Sequence, residues 1–185
     1  DNPVSAAQFA LGAGGRFVAR SADILQKHLP EVLKRAQANR GASFVEIFQN
    51  CIVYNDGVFK NFTEKGVAAD NQIHLEHGKP LIYGAEHNKG LRLKSTGLAL
   101  EIVTIGENGI TEADILVHDE TNHALAMLLA GMQPPQFPVA LGVLYCNPGA
   151  SYEAAVHQQV SDSLAKKGKG NLNKLLNRGH TWTVD

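Results

Sequence analysis

Few residues in this chain are of types that could do chemistry, and they are scattered. Cys51 sits inside "FVEIFQNCIVYND", which runs from Phe44 to Asp56, and Cys146 is the only other thiol. A cysteine at the end of an apolar segment can be a nucleophile, with a distant histidine as base and Asn50 or Asn55 as orienter, because triad members need not be close in sequence. It can also be a metal ligand, although an iron-sulfur cluster commonly needs four thiolates. The plain alternative is a small buried apolar side chain. A nucleophilic thiol favours an electropositive setting, and no basic residue follows Cys51 until Lys60. Spacing alone leaves these readings open.

Histidines and acids offer other candidates. His74 and His77 in "IHLEHGKP" lack the helical i, i+4 spacing of a zinc-protease motif, and in an extended segment they face opposite sides. "HDETNH", from His118 to His123, gathers two acids and two histidines where a helix is expected to begin. Acids collect at helix N-termini without any metal, so a solvated cap accounts for this run. His77 and Lys79 could hold an anionic group, but an exposed loop explains them equally well. Gly12-Ala13-Gly14-Gly15 tempts a phosphate-cradle reading. A dinucleotide fingerprint follows a strand and opens a helix, whereas here the predicted order is reversed, so these glycines read as a helix stop. Lys166, Lys167, Lys169, Lys174 and Arg178 form a basic tail, either simply solvated or a docking patch for an acidic protein.

The elements that must position these residues follow from hydrophobic period and punctuation. Asn2 and Pro3 read as a cap and first-turn proline for a helix over residues 3–11. Phe17-Val18-Ala19 reads as a buried strand. Ser21 and Asp23 open a helical region, interrupted by a turn so that Pro30 falls in the first turn of a new helix. Residues 43–48 read as the next strand, apolar enough to be covered on both faces. Helix, strand, helix, strand within about fifty residues indicates a parallel α/β layer. Beyond Cys51 the elements shorten: a helix over 58–64, strands over 80–83 and 98–105, and a Thr111/Asp114 cap pair. A firmer helix over 123–132, capped by Thr121 or Asn122 and ended by Pro134-Pro135, precedes a strand over 139–145 and an amphipathic helix over 152–167.

Composition bounds the function. The 185 residues, 44% of them hydrophobic, suffice for one ordinary core. A net charge of −1 gives no overall reason to expect nucleic acid or an anionic membrane as partner. No apolar run approaches the roughly 20 residues that cross a bilayer. Two distant cysteines and no signal-peptide pattern fit a reducing cytoplasm better than a disulfide scaffold. The opening Asp1-Asn2-Pro3 leads straight into a helical pattern, which suggests the later part of something longer.

The text of the sequence adds a family. "NPVSAAQFALGAGGRFVARS", then a helix, then "GASFVEIFQNCIVYND", closely resembles the β subunit of 2-oxoacid:ferredoxin oxidoreductases, in the later portion of its thiamine diphosphate-binding domain. "HGKPLIYG", "NKGLRL", "ILVHDE" and "PPQFPVALGVLY" carry the resemblance on to about Tyr145. It implies residues 1–57 as the C-terminal part of a thiamine diphosphate-binding α/β domain with parallel strands. Residues 58–185 would then be an irregular, loop-rich extension packing on it and on a partner subunit. In that family the cysteine at the end of this strand joins three others, from the N-terminal part of the subunit, to hold a 4Fe-4S cluster, and Cys51 matches its position. The implied reaction is oxidative decarboxylation of a 2-oxoacid with thiamine diphosphate and Mg2+, electrons leaving through the cluster to ferredoxin and coenzyme A taking the acyl group. The implied assembly is a hetero-oligomer with an α subunit.

"QNCIVYND" is similar to the 2-oxoglutarate branch, since in the pyruvate branch a proline commonly sits beside the cysteine. The family's acidic glycine-rich diphosphate motif and its paired N-terminal cysteines do not occur in these residues. No thiamine diphosphate ligand and no catalytic residue is therefore assigned here, and these residues alone are expected to be inactive. Two alternatives stand beside this reading: a fragment of a non-oxidative thiamine diphosphate-dependent decarboxylase or carboligase, and a non-catalytic interaction module that uses the basic tail.

Overall fold

The computed structural model describes residues 3–184, so the expected cap Asn2 lies outside them. Helix α1 (Ala6–Gly12) is capped instead by Ser5, whose hydroxyl accepts from the Gln8 amide. The helix stops where Gly14 adopts φ +84°, as expected for glycines after a helix. Strand β1 (Phe17–Ala22) is buried along its whole length, so Ser21 belongs to a strand rather than opening a helix. Helix α2 (His28–Ala38) carries Pro30 in its first turn, where the missing N–H costs nothing. Strand β2 is Phe44–Phe48.

After β2 the chain makes two one-turn helices, α3 (Lys60–Thr63) and α4 (Ala68–Asn71). Strand β3 (Gln72–Leu75) follows, then β4 (Ile82–Tyr83), β5 (Lys89–Leu93) and β6 (Leu100–Thr104). Thr111 and Asp114 form the expected capping box on a 3-10 turn. Helix α5 (His123–Ala130), capped by the Asn122 side chain, leads to the eight-residue strand β7 (Val139–Cys146).

One four-stranded sheet has the order β2-β1-β7-β3, and a separate antiparallel sheet has the order β4-β5-β6. The expected parallel pairing appears between β1 and β2 and between β3 and β7, while β7 runs antiparallel to β1 with a bulge between Val18 and Ala19. Successive β1 residues point to opposite layers. Val18 packs with Ala7, Leu11, Ala126 and Leu129 of α1 and α5. Phe17 and Ala19 pack with Val32 of α2. Being covered on both faces is what lets Phe17, Val18 and Ala19 be apolar in succession. β2 is only partly covered and Ile47 is exposed, because β2 lies at the edge of the sheet and not inside it.

Residues up to Gly149 make one compact unit. The second unit, from Ala150 on, holds α6 (Tyr152–Lys167) and α7 (Leu172–Leu176), neither with a buried residue. No helix among the described residues is long and apolar enough to cross a membrane.

Candidate functional site

The loop bearing Cys51 starts at the carboxyl end of β2, the end at which open α/β sheets place their ligands. Its foot is fixed by three rings: Phe48 lies 5.0 Å from Phe59 and 5.4 Å from Phe62, which are themselves 5.7 Å apart. Aromatic pairs at such separations contribute about 0.5–1.5 kcal/mol each beyond their buried area, enough to tie both ends of a short loop. The Asn50 side chain closes the loop from inside, donating to Asp56 Oδ1 at 2.9 Å and accepting from the Gly57 amide at 2.8 Å. Gly57 makes the closing bend at φ +77°, a conformation that disfavours a side chain.

Within this frame residues 51–55 form a tight turn, with the Asn55 amide donating to the Cys51 carbonyl at 3.0 Å. The Cys51 thiol is exposed, not a buried small side chain. Backbone amides of Tyr54, Val53 and Asn55 hold it below the ordinary thiol range, since N–H groups aimed at sulfur favour the thiolate. Ile52, Val53 and Tyr54 beside it are also exposed, Tyr54 at 91%. Cys146 is the opposite case: burial, then the neighbouring Glu120 carboxylate, push its thiol up.

Next to the loop opens a cleft of about 1020 Å³, lined by residues that include Gln8, Asn55, Phe59, Asn61 and Gln133. Arg20 and Glu46 form its charged part. The strand register sets Arg20 of β1 opposite Glu46 of β2, and Arg20 Nε donates to Glu46 Oε2 at 2.6 Å. The guanidinium also reaches the Ala130 carbonyl at 3.4 Å and stands 5.4 Å from the Phe48 ring centre. Sequence reasoning missed this pair, although a signal was present: each of two consecutive apolar strands carries one interior charge, and the signs are opposite.

The other candidates separate. The Asn50 amide is used up in the loop, and among the described residues no hydrogen bond joins a histidine to Cys51. Instead His28 meets Ser21 at 2.8 Å and His74 meets Gln72 at 3.1 Å. His118 meets the Val143 carbonyl at 2.8 Å and His123 the Leu11 carbonyl at 3.2 Å. His77 accepts from the Glu120 amide at 3.2 Å, so it and His74 serve different neighbourhoods. In "HDETNH" the Asp119 carboxylate accepts from the Thr121 amide and hydroxyl, and Asn122 caps α5, which is the local capping that its composition suggested. His118, by contrast, is buried, and burial lowers its pKa. Among the described residues no three or more histidine, cysteine or carboxylate side chains are grouped so as to hold a metal ion. The basic tail residues are all exposed in the second unit.

No protein-family model matches the chain. Individual proteins do. The 2-oxoglutarate oxidoreductase subunit KorB of Mycobacterium tuberculosis is 34% identical over 190 aligned positions, covering 100% of this chain and 50% of the relative. The β subunit of 2-oxoacid:ferredoxin oxidoreductase from Saccharolobus solfataricus is 35% identical over 66 residues, covering 36% of this chain and 21% of the relative. Among solved structures, a 2-oxoglutarate:ferredoxin oxidoreductase from Magnetococcus marinus, with 2-oxoglutarate, coenzyme A and succinyl-CoA bound, superposes with a TM-score of 0.59 at 18% identity. That match covers 98% of this chain and 46% of the other, so the two share a fold. The chain thus spans about half the length of the relative that it matches throughout. Its sequence is related to the β subunits of 2-oxoacid:ferredoxin oxidoreductases, as the motifs implied.

Proposed function

We propose that this chain is the part of a 2-oxoacid:ferredoxin oxidoreductase β subunit that supplies Cys51 to a 4Fe-4S cluster, in an enzyme acting on 2-oxoglutarate. The observation that carries the proposal is the state of Cys51: solvent-facing, at the carboxyl end of a sheet strand, with its thiol lowered by Tyr54 and Val53 amides. A cluster ligand must be a thiolate and must be reachable, and amides aimed at the sulfur both stabilise the anion and tune a bound cluster. The donor set fits one ligand of the group, and its partners would come from residues outside this chain.

When bound, the cluster would relay single electrons to ferredoxin, while thiamine diphosphate with Mg2+ would decarboxylate the 2-oxoacid and coenzyme A would accept the acyl group. This chain's own contribution is positional. The Phe48–Phe59–Phe62 cluster and the Asn50 bridge hold the Cys51 loop in one shape, so that the sulfur is presented without further ordering. Exposed Ile52, Val53 and Tyr54 supply apolar cover that would exclude water around a seated cluster. No residue here is assigned to thiamine diphosphate. An α subunit completes the assembly, and the unpaired cysteines fit a cytoplasmic setting.

The choice of 2-oxoglutarate rests on the relative that matches the whole chain, a 2-oxoglutarate oxidoreductase subunit, and on the residues around Cys51, which lack the adjacent proline. The test is the complete enzyme with Cys51→Ala, beside Cys146→Ala as control. Iron content and the cluster's paramagnetic signal should fall in the first variant only, with ferredoxin reduction lost and circular dichroism retained. Full iron and full electron transfer in Cys51→Ala would refute the assignment.

A further inference from the structure

The second unit is built unlike the first. Helix α6 runs sixteen residues from its Ser151 cap and buries none of them, although Tyr152, Val156, Val160 and Leu164 recur at i, i+4 spacing along it. Helix α7, capped by Asn171, likewise leaves Leu172, Leu175 and Leu176 exposed, and Trp182 beyond it is 84% exposed. From Ser163 to Val184 the sequence contains Lys166, Lys167, Lys169, Lys174 and Arg178 and not one acid. Across the whole chain the charges nearly cancel, so a one-signed segment of this length is a local feature.

We infer that residues 163–184 are a docking segment for an acidic protein surface, the lysines and Arg178 meeting carboxylates while the exposed Leu172, Leu175, Leu176 and Trp182 supply apolar contacts. A polar rim around a few large apolar anchors is the usual anatomy of a protein interface. Opposite potentials raise the encounter rate and set orientation. A membrane-surface helix needs strong segregation of apolar and polar faces. The one helix lying wholly within residues 163–184, α7, spans five residues, too few to present two such faces. The chemistry therefore favours a folded acidic partner over a lipid surface. Where the partner is the electron acceptor, the inference rests on the proposed function, but the segment's charge does not.

The experiment compares the complete oxidoreductase with a variant in which Lys166, Lys167, Lys169 and Lys174 are all changed to Gln, using an acidic ferredoxin as probe. The KM for ferredoxin at low salt should rise about tenfold, within the range that electrostatic steering supplies, and the wild-type salt dependence should flatten. The rate of 2-oxoglutarate-dependent reduction of a small dye should not change, which also shows that the variant is folded. Changing the same positions to Arg should restore the wild-type KM. An unchanged KM and salt slope would overturn the inference, as would tail-dependent binding to phosphatidylglycerol vesicles with ferredoxin kinetics unaltered. Loss of the proposed function reads out separately, as absence of 2-oxoglutarate-dependent dye reduction in the wild type.

Discussion

Glu46→Gln tests whether the charged pair inside the cleft is structural. Gln keeps the shape of Glu46 and an oxygen that can accept from Arg20 Nε but removes its charge, leaving the guanidinium, on a side chain 4% exposed, without a counter-charge. Breaking a buried pair by removing one partner costs about 3–5 kcal/mol, because the surviving charge is neither hydrated nor paired. The converse change, Arg20→Met, leaves a Glu46 that is 21% exposed, which can draw in water or a proton; it should cost about 1–3 kcal/mol. Replacing both, with Arg20→Met and Glu46→Leu, removes the orphaned charge and should fall close to the wild type. Urea unfolding followed by circular dichroism measures all three. With a slope of about 2 kcal/mol per molar, a loss of about 4 kcal/mol lowers the midpoint by about 2 M. Two results would refute the reasoning: Arg20→Met more damaging than Glu46→Gln, or a double variant no more stable than Glu46→Gln.

Three further outcomes follow from the structure. His28 and His74, which stand edge to face at 5.0 Å, and His118 are all held below the ordinary histidine value by burial, with mutual repulsion from His74 adding at His28. Because the unfolded chain binds protons more readily, their contribution is present above about pH 6.5 and is lost as pH falls through their folded values, so the urea midpoint should drop between pH 7 and pH 5. A constant midpoint would contradict this. Gly142 of β7 has φ +123° and an added Cβ would lie 2.8 Å from the Leu75 carbonyl oxygen, so Gly142→Ala should destabilise by at least about 2 kcal/mol in the same assay, and a change below 0.5 would be contrary. In the chain without iron, iodoacetamide at pH 7.5 should label Cys51 about tenfold faster than Cys146, whose thiol is pushed up and half-buried; equal rates by mass spectrometry would count against an exposed Cys51 thiol held low by backbone amides.

Elements whose signals are local could be read from the amino-acid sequence. Asn122, one of the two candidates, caps α5 because a short polar side chain reaches the next turn, Pro30 sits where its missing N–H is harmless, and β7 reads as a strand from its apolar run. A strand just before Cys51 was legible in the same way, although it ends at Phe48 and Cys51 lies in the turn that follows. Features that depend on register and on which strands become neighbours could not be read from the sequence. β3 was missed because "QIHL" is four residues long and is stabilised by pairing with β7, far along the chain. The antiparallel placement of β7 beside β1 has no local signal, and Arg20 and Glu46 meet only because β1 and β2 pair in one register. The lowered thiol of Cys51 has the same origin, since three backbone amides reach the sulfur only once the loop is closed by Phe48, Phe59, Phe62 and Asn50. Residue type fixes what a side chain can do, while its protonation state and partners are set by neighbours distant in sequence.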